Sequence, residues 1–148
     1  MNKPPRKPVR RAPTGEPLVF ALLGAAGSVE ARLEAALSPL GLSLAKVALL
    51  EHLADAKQPV ALSQLATHQH CVRSNITQLV DRLEKDGLVR RRPDEGDRRS
   101  IRAALTPAGV RAHAHGVRAL ADAQREIMSA LTARDAASLK SALETLDS

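Results

Sequence analysis

Apolar residues recur every three or four positions through most of the chain, the spacing of helices with one buried face. The predicted helices run from Leu18 to Leu37, from Leu44 to about Lys57, from about Ser74 to Lys85, from Thr106 to about Leu131 and from Thr132 to near Leu146, and a shorter helix starts with Leu62 to Ala66. Ser43 and Thr106 stand where helix N-caps are needed, and Pro107 suits the first position of a helix. The pattern predicts a mainly α-helical fold.

The helix that begins near Ser74 has two sharply different faces. Its apolar residues fall at i, i+3, i+4 and i+7, and they are Ile76, Leu79, Val80 and Leu83. Its other face carries hydrogen-bonding side chains that can read base edges, namely Ser74, Asn75, Thr77, Gln78, Asp81, Arg82 and Lys85. Gly87 follows where a left-handed C-terminal cap is needed. With the shorter helix from Leu62 and the connection at 70–72, this helix predicts a helix-turn-helix.

A β-hairpin is predicted directly after the helix-turn-helix. Leu88 to Arg92 and Ile101 to Leu105 can form two strands, and the segment Pro93 to Asp97 is rich in turn formers. Val60-Ala61 can add a small third strand. Arg98 and Arg99 would then lie at or near the hairpin tip, beside the second helix. The fold class is therefore mainly α with a small β-hairpin wing: a winged helix-turn-helix.

These residues resemble the MarR (multiple antibiotic resistance regulator) family of bacterial transcription factors. The segment Ser74 to Glu84 looks like the family's recognition helix. Gly87-Leu88-Val89, Asp97-Arg98-Arg99-Ser100 and Leu105-Thr106-Pro107-Ala108-Gly109 look like its wing and the start of its next helix. The combined pattern covers about a third of the chain. Gln69 and Val72 depart from it, because an apolar residue and a Ser or Asp cap are commoner at those positions.

The domain organisation follows from composition and helix length. Residues 1–17 interleave Lys and Arg with Pro and are expected to form a disordered basic arm. Residues 18–148 form one domain, with the winged helix-turn-helix at 43–105 and dimerisation helices at 18–42 and 106–148. The long helix from Thr106 would extend on the order of 40 Å, too far for one subunit to cover its apolar stripe. A symmetric partner would cover it, and the resemblance implies the same homodimer.

Charge and composition narrow the partners. The chain has 148 residues, a net charge of +6, one Phe and no Trp or Tyr. The charge favours double-stranded DNA, whereas binding of single strands usually needs aromatic platforms. The single Cys71 fits a reducing cytoplasm. Arg10-Arg11 before the apolar run at 18–23 superficially resembles a secretion signal, but the run is short and continues as one helix face. No membrane association is expected.

Other candidate chemistry is weak. His68, His70 and Cys71 could suggest zinc, but a buried structural Cys71 at the helix-turn-helix corner is favoured. Zinc-sensing relatives use a His pair one turn apart on the long helix, whereas His113 and His115 are two residues apart and face different sides. No phosphate loop, nucleophile elbow or acid–base pair is recognisable. We therefore expect no metal, no cofactor and no enzymatic activity.

The favoured function is sequence-specific transcriptional regulation, as a repressor that binds a pseudo-palindromic operator as a homodimer. The resemblance implies release by a small-molecule effector bound between the dimer helices and the DNA-binding lobe. The expected DNA-binding residues are Arg73, Ser74, Asn75, Thr77, Gln78, Arg82, Arg98 and Arg99, with Asp97 orienting Arg99 in the wing. The alternative is a winged-helix protein-interaction or architectural module that binds DNA non-specifically. Its docking face should be apolar, and the face of the second helix is polar. The simplest alternative for Arg90 to Arg92, Arg98 and Arg99 is a solvated charged hairpin.

Overall fold

The computed structural model describes residues 17–68, 74–97 and 99–146. The helices are α1 (Leu18–Leu37), α2 (Leu44–Ala56), α3 (Leu62–His68), α4 (Ser74–Lys85), α5 (Pro107–Met128) and α6 (Ala133–Leu146), with a 3₁₀ turn at Ser38–Leu40. The strands are β1 (Val60–Ala61), β2 (Val89–Pro93) and β3 (Ile101–Leu105). The predicted mainly helical fold with a small wing is confirmed.

The predicted helix caps are present. The Ser43 hydroxyl accepts a hydrogen bond from the backbone N–H of Lys46, and that of Thr106 accepts one from Gly109. Thr132 receives the N–H of Asp135 in the same way at the start of α6. Each hydroxyl satisfies a backbone donor that the first turn of a helix leaves without a partner. These caps fix the starts of α2, α5 and α6 at the predicted residues.

Two predicted boundaries were wrong by a few residues. α5 ends at Met128 rather than near Leu131, because the chain turns tightly between Ser129 and Thr132 before α6 begins. Leu88 lies in the turn that follows α4 rather than in β2, since its N–H donates to the carbonyl of Leu83 after Gly87 takes a left-handed φ of 72°.

The wing is a three-stranded antiparallel sheet in the order β1-β3-β2. Val89 pairs with Leu105 and Pro93 with Ile101 along the hairpin, while Val60 pairs with Ala103 on the other edge of β3. Pro93 thus ends β2 instead of lying in the turn. The short β1 connects the wing to the segment that follows α2, so the predicted third strand is confirmed.

One hydrophobic core lies between α2, α3, α4 and the sheet. Its fully buried side chains are Leu37, Leu49, Leu50, Leu65, Val80, Leu83 and Val89. Ile76 on α4 and Ala103 on β3 join them. The core therefore fixes the apolar side of α4 and leaves its polar side facing outward.

The terminal helices contribute little to this core. α1 packs on α5, but Leu37 is its single buried residue. Leu18, Phe20 and Leu23 are 82%, 60% and 62% exposed. α6 has no buried residue, although it carries Leu139, Leu143 and Leu146. Much apolar surface on α1 and α6 is therefore exposed in the single chain.

Among the described residues, no single helix is long and apolar enough to cross a membrane. The pair formed by Leu18–Leu40 and Leu44–Ala56 meets the length and composition together, but it is bent by 73°.

Candidate nucleic-acid interface

The exposed face of α4 presents the polar side chains expected to read DNA. Thr77, Gln78 and Arg82 are exposed, while Ile76 on the opposite side is 2% exposed and held in the core. The amphipathic spacing of the helix produces this division, because residues three and four apart share a face. The structure therefore brings three of the predicted base- or phosphate-contacting residues together on one outward surface.

Ser74 and Asn75 lie in the first turn of α4, and their side chains are outside the described part of the structure. Arg73 and Arg98 lie outside the described residues, as do Gln69, Cys71 and Val72. Their predicted roles stay predictions.

The tip of the wing carries Arg99, which is exposed. The Asp97 carboxylate accepts a hydrogen bond from the backbone N–H of Arg99 at 2.9 Å, and its carbonyl accepts from Ser100 at 2.9 Å. Asp97 therefore organises the backbone of the turn that presents Arg99. Among the ion pairs found in the described parts of the chain, none joins the two side chains. This geometry is compatible with an orienting role that acts through the main chain.

A second carboxylate stabilises the turn from its other side. The Asp94 side chain accepts from the N–H of Gly96 at 2.9 Å and from Arg102 Nε at 2.6 Å. These two hydrogen bonds hold the pKa of Asp94 below its ordinary value, the bond from Gly96 having the larger effect. Arg102 also donates to the carbonyl of Pro59 at 3.1 Å. The hairpin is thus tied to the segment between α2 and β1.

The helix and the wing are joined by Arg91, whose role the sequence did not reveal. Its guanidinium contacts Asp81 at 2.5 Å and Glu84 at 2.8 Å, both on α4. Burial alone would lower the pKa of Arg91, but hydrogen bonds to the two carboxylates raise it above its ordinary value. The interpretation of the hairpin arginines as solvated charges is therefore wrong for Arg91. Arg90 and Arg92, by contrast, are exposed.

A signal for this contact was present in the sequence. Successive residues of a strand face opposite sides, so Arg91 shares its side with the buried Val89, toward α4. Asp81 and Glu84 are three residues apart and therefore neighbours on the helix surface. The two periodicities place Arg91 and the two carboxylates on facing sides, but they do not give the distance between the strand and the helix.

Two further contacts hold the ends of α4 and α5 in place. Lys46 Nζ bridges Asp86 at 2.7 Å and the carbonyl of Gly41 at 2.9 Å. The Thr106 hydroxyl donates to the carbonyl of Gly87 at 2.6 Å. The C-terminal end of α4 is therefore fastened both to the start of α2 and to the start of α5.

No group of three or more potential metal ligands occurs within 17–68, 74–97 and 99–146. His113 and His115 lie on α5, and Nε2 of His113 is buried with no hydrogen-bond partner in the part of the chain that the structure describes.

Comparison with known proteins identifies this architecture. Residues 42–101 match the model of the MarR family. No curated protein sequence gives a significant match.

Solved structures match nearly the whole chain. A protein described as a probable transcriptional regulator from Pseudomonas aeruginosa is 27% identical, with a TM-score of 0.74, and the match covers 88% of this chain and 97% of that one. A mutant MarR from E. coli, complexed with operator DNA, is 24% identical over 88% and 93% of the two chains, with a TM-score of 0.75. The organohalide-sensing regulator RdhR-CbdbA1625, in its 2,4-dichlorophenol-bound form, is 20% identical over 92% and 87%, with a TM-score of 0.77. The winged-helix fold predicted from the sequence is thereby confirmed.

Proposed function

We propose that this chain, which carries a MarR-family domain at residues 42–101, is a cytoplasmic, homodimeric repressor that binds a specific operator and is released by a small molecule. The observation that carries the proposal is the polar face of α4, with Thr77, Gln78 and Arg82 exposed beside the cationic wing. The major groove admits an α-helix, and amide and guanidinium groups match the patterns of base edges. The relative from E. coli bound to operator DNA supports the same use of the fold.

Reading and anchoring are assigned to different side chains. Gln78 faces outward one turn into α4, so it is placed to contact base edges. Arg99 at the wing tip meets the adjacent minor groove, where narrow A·T-rich DNA concentrates negative potential. The predicted contacts of Arg73, Ser74, Asn75 and Arg98 belong to the same proposal, with Asp97 holding the tip.

The homodimer follows from the uncovered terminal helices. Leu22 on α1 and Leu143 and Leu146 on α6 line an open apolar groove of about 430 Å³. Exposing such surface costs about 25 cal/mol per Å². A second copy of the chain would bury it symmetrically. Light scattering at micromolar concentration should give the mass of two chains, and the mass of one chain would refute this part of the proposal.

The effector is assigned to a cleft between the end of α2, the sheet and the start of α5. The cleft measures about 460 Å³, and its apolar lining includes Leu53 and Val110. Lys57, Arg90 and Arg92 also line it, and none of them joins an ion pair among the described residues. Among the described residues, no carboxylate lines it, so an organic anion with an apolar body fits its chemistry. The dichlorophenol-bound relative supports a small-molecule effector in this fold.

Selection from a random DNA library tests the proposed DNA binding. Wild type should enrich a two-fold symmetric site whose half-sites lie about 10 base pairs apart, because the dimer must place both helices on one side of the duplex. Gln78→Ala should relax preference at one or two positions per half-site, by about 1–3 kcal/mol against the wrong base.

Arg99→Ala is the matched comparison. It should weaken binding to all sequences more evenly and make the log–log salt slope shallower by about one unit per lost contact. If wild type enriches no sequence, the chain is a non-specific or protein-binding winged helix. If Arg99→Ala changes the major-groove bases and Gln78→Ala does not, the assigned roles are reversed.

A further inference from the structure

Arg91 lies in the middle of β2 and contacts α4 along two of its turns. Nη2 approaches Asp81 Oδ1 at 2.5 Å and the carbonyl of Thr77 at 3.5 Å, and Nη1 approaches Glu84 Oε2 at 2.8 Å. The backbone N–H of Arg91 donates to the other oxygen of Glu84 at 3.1 Å. One residue of the wing therefore holds α4 from the reading turn at Thr77 to its last turn.

The alternation of β2 separates Arg91 from the other two arginines of the strand. The Arg91 side chain is 24% exposed and engaged with two carboxylates. Arg90 and Arg92 are exposed, line the cleft on the other side of the sheet and join no described ion pair. Three neighbouring arginines thus lie in two different environments, and a substitution of Arg90 is a matched control for the same substitution of Arg91.

Buried residues hold the strands in the core beside this contact. Val89 and Ala103 have 2% and 0% exposure. The tip of the hairpin carries Arg99, which is exposed. The guanidinium of Arg91 is planar and rigid, which suits it to fix an orientation between two carboxylates. We expect its removal to leave the sheet attached through Val89 and Ala103 and to let the angle between the sheet and α4 vary.

We propose that Arg91 is a positioning residue that sets the wing at a fixed offset from the reading face of α4, and that it does not itself contact DNA. It fixes how many base pairs separate the major-groove bases read by Gln78 from the minor-groove position that Arg99 occupies. It also neutralises Asp81 and Glu84, which would otherwise repel phosphates beside that face. The inference rests on the DNA binding proposed above.

The test compares Arg91→Ala with Arg90→Ala in the same library selection. Both variants remove one arginine charge from the same strand. In the sites that Arg91→Ala selects, the A·T preference under the wing should no longer lie at one fixed distance from the major-groove bases but should be spread over neighbouring positions. The slope of binding against salt should stay unchanged. Affinity should fall about two- to tenfold, the range that one or two partly exposed ion pairs can supply. Arg90→Ala should keep the wild-type offset.

A second variant separates positioning from direct contact. Asp81→Asn combined with Glu84→Gln removes the ion pairs and keeps the arginine. Under the proposal, this double variant spreads the A·T preference over neighbouring positions just as Arg91→Ala does. If Arg91 instead contacts phosphate, freeing its guanidinium tightens binding and keeps the offset. The double variant also decides the matter if Arg91→Ala fails to fold, as judged by circular dichroism.

The two proposals fail in different ways. A wild-type protein that enriches no sequence overturns the proposed function and this inference with it. If wild type is selective but Arg91→Ala behaves like Arg90→Ala, the role of Arg91 alone is overturned. The same holds if Arg91→Ala keeps the offset and its salt slope becomes shallower by about one unit.

Discussion

Gly109, in the first turn of α5, has no room for a side chain. A Cβ atom built there would lie 2.0 Å from the carbonyl oxygen of Leu88 and 3.2 Å from a methyl group of Leu105. The same carbonyl accepts the N–H of Thr106 at 3.0 Å, and the Thr106 hydroxyl caps Gly109. The start of α5 therefore packs directly on the backbone that follows α4. Gly109→Ala tests this arrangement.

The cost can be approximated from the contacts that must change. A backbone carbonyl cannot rotate away as a side chain can, so α5 must shift by on the order of 1 Å to restore contact distance. Overpacking of this kind costs about 1–3 kcal/mol. The shift also weakens the hydrogen bonds of Thr106 to Gly87 and Leu88, at about 1 kcal/mol each. Alanine returns about 1 kcal/mol through its higher helix propensity. The expected net loss is about 2–4 kcal/mol in the free energy of unfolding.

Gly116→Ala is the control, because it is the same change in the same helix. Its Cβ would meet Val47 Cγ2 at 2.8 Å and Leu42 Cδ1 at 3.1 Å, both side-chain methyl groups that can move. It should therefore cost clearly less than Gly109→Ala. Urea unfolding followed by circular dichroism measures both free energies, at one protein concentration because the stability of the proposed dimer would depend on concentration. A Gly109→Ala variant as stable as wild type would refute the packing of α5 on Leu88.

Three other changes give separate tests. Asp94→Asn should make stability less dependent on pH in the acid range. Because the folded-state pKa of Asp94 is lowered from 3.8, its stabilisation is present above that unfolded value and is lost as pH falls through the folded pKa. The melting temperature of the variant should therefore decline less steeply than that of wild type as the pH falls in this range, and identical curves would contradict the prediction. Ser43→Ala removes the cap of α2 and should cost about 1 kcal/mol in urea unfolding, with no change in base preference. Phe20→Glu puts a charge on the exposed apolar face of α1 and should weaken dimerisation more than tenfold, because burying one Phe contributes roughly 1.5–3 kcal/mol. Sedimentation measures the dissociation constant of the dimer, and an unchanged dimer would place the interface elsewhere.

The local features of the fold could be predicted from the sequence because local chemistry determines them. Hydroxyl caps, the proline after Thr106 and the left-handed Gly87 each act within one turn, and the structure has them at the predicted residues. The predicted end of α5 was wrong by three residues, since no helix-breaking residue marks Met128. The helix ends there because the chain turns tightly between Ser129 and Thr132.

The site was predictable in outline but not in its internal contacts. The polar face of α4 follows from periodicity, so the placement of Gln78 could be inferred. The pairing of Arg91 with Asp81 and Glu84 depends on how a strand crosses a helix, which is a tertiary distance. The same holds for Asp94 and Arg102, which are brought together by the register of the hairpin. Among seemingly equivalent arginines, the three-dimensional packing decides which one is structural.

Because α6 has no buried residue, the activity of the proposed regulator would depend steeply on its own concentration. A helix of 14 residues is marginal in water by itself, so in the proposed homodimer the folding of α6 would be coupled to the arrival of a second chain. While most chains are single, the number of paired chains rises with the square of their concentration. Halving the amount of protein would then reduce the number of operator-competent pairs about fourfold, by the same mass action that makes dimer stability concentration-dependent. A gene controlled in this way would switch over a narrower range of protein dosage than one controlled by a self-sufficient monomer.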